Sequence, residues 1–211
     1  MSRGLFLLVF STALALVILF VTSTVTTTAI AFPTDRKTAV MDTWDIGRFF
    51  KLATTGNVQG IATDFAGNIY LVEHNANKIA RLSPDTNTVT EWAIPTNSSG
   101  PAGIAFDPLS SNIYFVEQNA NKIARLAPDT NTVTEWTIPT KSSGPTGIAF
   151  DSSTGNLYFS ESNANKIGRF VPSNGAFTEW TVNNKPTSAL FINSPGNLYF
   201  ISENGIIYRL S

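Results

Sequence analysis

NANKIARLSPDTNTVTEWAIPT, from Asn75 to Thr96, returns as NANKIARLAPDTNTVTEWTIPT from Asn119 to Thr140, with 20 of 22 positions identical. A third copy, NANKIGRFVPSNGAFTEWTV, begins at Asn163. Lys78, Lys122 and Lys166 stand 44 residues apart, as do Trp92, Trp136 and Trp180. Self-similarity at a fixed period of this size marks a repeat architecture, in which each unit buries its faces against its neighbours.

Outward from this stretch, each unit resolves into short β patterns. GIAFD (Gly103 to Asp107, Gly147 to Asp151) comes first, where glycine permits close backbone packing. NIYFVE or NLYFSE (Asn112 to Glu117, Asn156 to Glu161), KIARL (Lys122 to Leu126) and TVTEWTI (Thr132 to Ile138) follow. All are rich in β-branched and aromatic residues. Between them stand turn signals: Asp107 to Ser111, Ala66 to Asn68, Asn-Ala-Asn and Pro-Asp-Thr-Asn. No stretch after residue 32 keeps a helical period. Four strands in about 40–45 residues is the period of a β-propeller blade.

Complete units start at Gly60, Gly103 and Gly147; the last, from Ser188, holds only SALFI, NLYFIS and GIIYRL. Ahead of the first unit, RFFKLATTG (Arg48 to Gly56) aligns with the fourth-strand pattern EWAIPTNSSG. The expected fold is therefore all-β: a β-propeller of four-stranded antiparallel blades, four in number, closed by the N-terminal strand. The alternative is an open arc of a larger propeller, completed by a second chain. Closure pairs edges that otherwise invite aggregation, and it favours a monomer over a dimer.

Composition narrows the function. The chain has 211 residues, no cysteine, a single histidine (His74) and a formal net charge of −1. Without cysteine there are no disulfides, thiolate chemistry or cysteine zinc sites. Without a basic patch, nothing points to nucleic acid. Arg3 is the only charge in the first 31 residues, and an apolar run from Leu5 to Val21 leads on to Ala29-Ile30-Ala31. Residues 1–31 read as a signal peptide cut before Phe32, or as an uncleaved membrane anchor over residues 5–21. Either way the remainder is expected outside the cytoplasm, secreted or held at the membrane only by that segment. Residues 32–43 form a linker and residues 44–211 the propeller.

The pattern P-x-G-I-A-F-D, G-N-L-Y-F-x-E, N-K-I-G-R and T-E-W-x-I-P-T resembles the streptogramin B lyase (virginiamycin B lyase) family over about residues 44 to 211. NHL-type and gluconolactonase-like propellers are more distantly similar. The resemblance implies a magnesium-dependent, seven-bladed enzyme that opens a cyclic depsipeptide by elimination at its ester. It also implies a catalytic Glu-Pro-His-Gly-Ile segment and a metal-binding glutamate at the end of the following strand. The histidine position falls on Gln59, Ala102, Thr146 and Thr187, and the leading glutamate on Asn57, Gly100, Gly144 and Lys185. The strand-end glutamate is matched at Glu73, Glu117, Glu161 and Glu203, while the acid–base residue is missing. The chain is also too short for seven blades of this period.

On a propeller, equivalent positions lie on a ring, so Glu73, Glu117, Glu161 and Glu203 are candidate ligands for Mg²⁺ or Ca²⁺. The plainer reading pairs each with the lysine five residues on: Glu73 with Lys78, Glu117 with Lys122 and Glu161 with Lys166; Glu203 has no such lysine. His74 follows Glu73 and is the weak catalytic candidate, or else an exposed loop residue. The Asn-Ala-Asn-Lys motif suits left-handed turns, or a rim of amides for sugars or peptides. Trp92, Trp136 and Trp180 read as inter-blade core. The leading functional expectation is an exported module binding a small molecule, peptide or glycan at the propeller rim. Two others stay open: a divalent-metal lyase or lactonase opening a cyclic ester, and a structural or interaction module.

Overall fold

The computed structural model describes residues 57–194 and 196–210. Their regular elements are fifteen β-strands in four antiparallel sheets. The first sheet is β1 (Val58–Thr63), β2 (Ile69–Glu73), β3 (Lys78–Ser83) and β4 (Thr88–Ala93). The second is β5 (Pro101–Asp107), β6 (Asn112–Glu117), β7 (Lys122–Ala127) and β8 (Thr132–Thr137). The third is β9 (Pro145–Asp151), β10 (Asn156–Glu161), β11 (Lys166–Val171) and β12 (Ala176–Thr181). The fourth has three strands, β13 (Pro186–Ile192), β14 (Leu198–Ser202) and β15 (Ile207–Leu210). Strand order follows chain order in every sheet, as expected for propeller blades. The expected closing strand at Arg48 to Gly56 and the leader both lie outside the described residues.

The turns are made by the residues the sequence singled out. Asn77, Asn121 and Asn165 adopt φ of 57°, 59° and 53°, the left-handed region that asparagine tolerates. Asn121 does more than turn the chain. Its amide donates to the carbonyls of Ile138 at 3.2 Å and Thr140 at 2.9 Å, while its oxygen accepts from the backbone and hydroxyl of Ser143 at 2.8 and 2.9 Å. All four of its bonds pin the connection to the next blade; Asn77 does the same to Ile94, Thr96 and Ser99.

The core lies between blades. Tyr70, Val72 and Ile79 of blade 1 meet Ile104, Ile113 and Phe115 of blade 2. Tyr114, Val116 and Ile123 of blade 2 meet Leu157, Phe159 and Phe170 of blade 3, and Ile167 of blade 3 meets Leu198 and Phe200 of blade 4. Blades 2 and 3 are apolar on both faces, because each is sandwiched between two described neighbours. Trp92 is core, and Trp136 tilts onto Phe170 at 5.0 Å, as the inter-blade reading requires.

Glycine sets the seam. A Cβ on Gly60 would lie 2.7 Å from the carbonyl oxygen of Ala102, one on Gly103 2.6 Å from that of Thr146, and one on Gly147 2.2 Å from that of Ser188. Inner strands of successive blades therefore touch backbone to backbone, which no larger residue allows.

The last blade departs from the sequence alignment. Ile61 pairs with Leu71, Ile104 with Phe115 and Ile148 with Phe159, but the partner of Phe200 is Leu190, one residue later than the SALFI-to-GIAFD match implies. A widened bulge between Pro186 and Leu190 absorbs the extra residue. Ser188 consequently takes the place of Thr146, Ala189 that of Gly147, and Phe191 that of Ala149. Phe191 is 63% exposed and Ile207 66% exposed on the side of this blade that no other described blade covers. They line an apolar groove of about 520 Å³ with Ala189, Tyr199 and Ile201.

Candidate functional site

At the end of each blade where the second strand finishes, one backbone hydrogen bond recurs. His74 donates its amide to Asn57 at 3.1 Å, Gln118 to Gly100 at 2.9 Å, Ser162 to Gly144 at 3.1 Å and Glu203 to Lys185 at 2.9 Å. These four pairs are equivalent, so Glu203 is a rim residue like Ser162, not a strand end. Ser202, which pairs with Pro186 as Glu161 does with Pro145, holds the strand-end place. This corrects the sequence match, since NLYFSE and NLYFIS align without a gap and set Ser202 at the Glu161 position; the residue inserted between Pro186 and Leu190 further makes Ser188, not Thr187, the blade-4 counterpart of Thr146.

The three remaining strand-end glutamates are sealed. Glu73, Glu117 and Glu161 are all 0% exposed, whereas the Glu203 side chain is 67% exposed. Burial, then the nearby Glu135 carboxylate, push Glu117 up to about 8. Burial and Glu179 push Glu161 up to about 7. No hydrogen bond reaches either carboxylate of Glu117 or Glu161. Ser99 and Ser143 are close by and favour the charged forms, but their hydroxyl protons go to Asn77 and Asn121.

The repeat lysines do not make the ion pairs expected five residues back. Lys78 pairs with Glu91 at 2.8 Å, Lys122 with Glu135 at 2.7 Å and Lys166 with Glu179 at 3.0 Å, all across to the fourth strand. Thr96, on the connection leaving blade 1, donates its amide and hydroxyl to Glu135 of blade 2 at 3.1 and 2.8 Å. Thr140 clasps Glu179 of blade 3 in the same way at 3.1 and 2.6 Å. Burial opposes ionisation of Glu135 and Glu179, but the lysine and threonine bonds outweigh it and hold both below the usual carboxylate value. These clasps tie blade to blade, which is a structural task.

His74 donates from Nδ1 to the carbonyl of Pro101 at 2.9 Å. No second histidine, nucleophile or carboxylate is hydrogen-bonded to its ring among the described residues.

The blade starts and the rim pairs together line a polar cleft of about 370 Å³. Gln59, Gln118, Thr146, Ser162, Lys185 and Glu203 face it. Beneath its floor a hydroxyl chain is fully committed. Ser162 donates to the Pro186 carbonyl at 2.7 Å, Thr146 bonds Ser162 and Ser160 at 2.7 and 2.9 Å, and Ser160 accepts from Gly147 at 2.8 Å. The sequence singled out Glu203 but not its partner, although Lys185 stands where the other units have glycine or asparagine.

A hard divalent cation takes about six oxygens at short range, most of them carboxylate. Among the described residues no three of His, Cys, Asp or Glu stand together in such a group. Glu73, Glu117 and Glu161 belong to separate blades and are buried away from the cleft, and Lys185 places a cation inside it. Among the described residues the donor set does not fit magnesium or calcium, and no step through a metal follows.

The sequence profile of the virginiamycin B lyase family matches residues 32–210. Selenomethionine-substituted virginiamycin B lyase from Staphylococcus aureus superposes with a TM-score of 0.65 and 27% identity, over 75% of this chain and 56% of that one. A streptogramin B lyase gives 0.64 and 29%, over 74% and 55%. A catalytically inactive virginiamycin B lyase from Staphylococcus aureus, crystallised with quinupristin, gives 0.63 and 30%, over 72% and 54%. The chain thus spans little more than half the length of these enzymes. A putative gluconolactonase, at 18% identity and a TM-score of 0.61, shares the fold. No curated protein matches the chain.

Proposed function

The chain belongs to the virginiamycin B lyase family, and from that premise we propose that it is an exported binding propeller that has given up the family's elimination chemistry. Its ligand is a small polar molecule, peptide or glycan seated in the rim cleft. The observation that carries this reading is the cleft itself: polar groups from all four blades converge there, yet its residues form no acid–base constellation. Catalysis of an elimination needs a positioned base near neutral pKa. The positions that the family resemblance assigns to it hold Gln59, Ala102, Thr146 and Ser188 instead. Export rests on the leader pattern of residues 1–31.

Purified protein incubated with magnesium and a streptogramin B-type cyclic depsipeptide is expected to leave the ring intact by chromatography and mass spectrometry. Accumulation of the linear product would sink the reading. Export is tested by the N-terminus of protein recovered from an expressing culture, expected at Phe32. The lactone-opening alternative keeps one point in its favour, the strand-end glutamates Glu73, Glu117 and Glu161. Their burial places them out of reach of a substrate in the cleft.

A further inference from the structure

Resting on the rim cleft as the ligand site, we propose that the ligand carries a carboxylate, which Lys185 takes up in exchange for Glu203. The four equivalent rim pairs are Asn57/His74, Gly100/Gln118, Gly144/Ser162 and Lys185/Glu203. Only the last consists of two formally charged side chains. Blade 4 has at the same time lost the buried strand-end glutamate and the clasp lysine. Ser202 stands where the other blades have the buried glutamate, and Ile206 where they have the clasp lysine, as the pairing of Ile201 with Ile207 shows. Lys185 is therefore not part of the repeat's structural apparatus. It is a charge added at the cleft.

The pair is built to open. Lys122 and Glu135 lie 2.7 Å apart with side chains 24% and 15% exposed, and the Thr96 hydroxyl joins them. Lys185 and Glu203 lie 3.4 Å apart, 45% and 67% exposed, and share no third group. An exposed pair of this kind contributes little, so a competing anion displaces Glu203 at small cost.

The free hydrogen-bonding groups around the lysine are able to donate to an anion. The hydroxyls of Thr146, Ser160 and Ser162 are committed to one another and to the Pro186 carbonyl, and Thr187 donates to the Ile201 carbonyl at 2.9 Å. What remains to face a ligand is the Lys185 ammonium, the side-chain amides of Gln59, Gln118 and Asn163, and the Ser188 hydroxyl. The amides and the hydroxyl can donate or accept, Lys185 supplies the one charged donor and Glu203 the one charged acceptor. Because the group now held by Lys185 is itself a carboxylate, Glu203 marks the place and chemistry of the incoming anion.

The test is a titration of the ¹⁵N-labelled full chain, followed at the amides of Gln59, Gln118 and Ser188. The probes are acetate and benzoate, their neutral counterparts acetamide and benzamide, and inorganic phosphate. Saturable shifts with the carboxylates and none with the amides are expected. Glu203→Gln should tighten carboxylate binding about two- to fivefold, the equivalent of the lost internal competitor. Lys185→Met should weaken it at least tenfold. Both variants should melt with the parent, since neither side chain enters the core. Equal binding of the neutral probes, preference for phosphate, or an unchanged affinity in Glu203→Gln overturns the proposal. A neutral tripeptide or trisaccharide that shifts the same amides while carboxylates do not would overturn it and leave the cleft reading intact. Silence of those amides toward every probe would remove both.

Discussion

Glu203 donates its amide to the carbonyl of Lys185 at 2.9 Å, as Ser162 does to Gly144 at 3.1 Å one blade earlier. That bond makes Glu203 a rim residue and, with the pairing of Pro186 and Ser202, gives the strand-end place to Ser202. The separate pairing of Leu190 with Phe200 puts Ala189 in the position of the seam glycine. A carboxylate that sequence alignment groups with three buried ones is therefore the exposed partner of a lysine at the cleft.

The seam makes a strong prediction about small residues. Gly147→Ala would drive a methyl group to 2.2 Å from the Ser188 carbonyl oxygen, and two rigid inner strands must separate to admit it. A loss of about 1–3 kcal/mol is expected, read as a lowered midpoint in urea. Ala189→Gly, at the equivalent place with no further described blade against it, should cost no more than about 1 kcal/mol. Equal effects of the two changes would refute the assignment of Ala189.

Stability should fall as pH rises from mild acid. Glu117 and Glu161 ionise near 8 and 7 in the folded chain but near 4.5 when unfolded. Between those values the folded state keeps protons that the unfolded state has released, so folding is progressively disfavoured with rising pH. The slope approaches about 1.4 kcal/mol per pH unit for each group at most. Glu135 and Glu179, held below 4.5, act oppositely: their contribution is present above the ordinary carboxylate value and is lost as pH falls through their lowered values. Calorimetry should place the highest midpoint in mild acid, with a decline toward pH 8 that Glu117→Gln reduces. A midpoint constant from pH 5 to 8 would exclude neutral buried carboxyls.

The inter-blade clasp and the rim pair should respond differently to truncation. Glu135→Ala strands the Lys122 ammonium and the Thr96 amide in a largely covered site. It is expected to cost about 2 kcal/mol, lowering the melting midpoint by about 4–8 °C. Glu203→Ala removes an exposed partner and should shift the midpoint by less than about 1 °C. Comparable losses in the two variants would mean that the rim pair also supports the fold.

The apolar groove of blade 4 should report itself to a fluorescent hydrophobic dye. Phe191 and Ile207 are both about two-thirds exposed and both line the groove. Phe191→Asp should abolish most dye binding without lowering stability, because the side chain buries little on folding. Retention of the dye signal would place the binding surface elsewhere.

The sequence by itself determined the repeat, the strands and their turns, because these rest on local chemistry. Alternating β-branched and aromatic residues dictate strands wherever they fall, Asn77 and Asn121 take left-handed turns from their own side chains, and Gly60, Gly103 and Gly147 recur where backbones must touch. The ion pairs were not legible, because side chains meet according to sheet register. Lys78 lies beside Glu91 across β3 and β4, a relation invisible in the nearby Glu73. The cleft was legible only in part: NLYFSE against NLYFIS already sets Ser202, not Glu203, at the strand end, but the extra residue before Leu190 disguised Ser188 and Ala189 as the counterparts of Thr146 and Gly147. Only the hydrogen-bond ladder decides such a shift, because one inserted residue is absorbed in a bulge and leaves the hydrophobic pattern on both sides intact. Tertiary structure thus decided what the pattern could not: three glutamates were sealed in protein, and the fourth was set against a lysine in water.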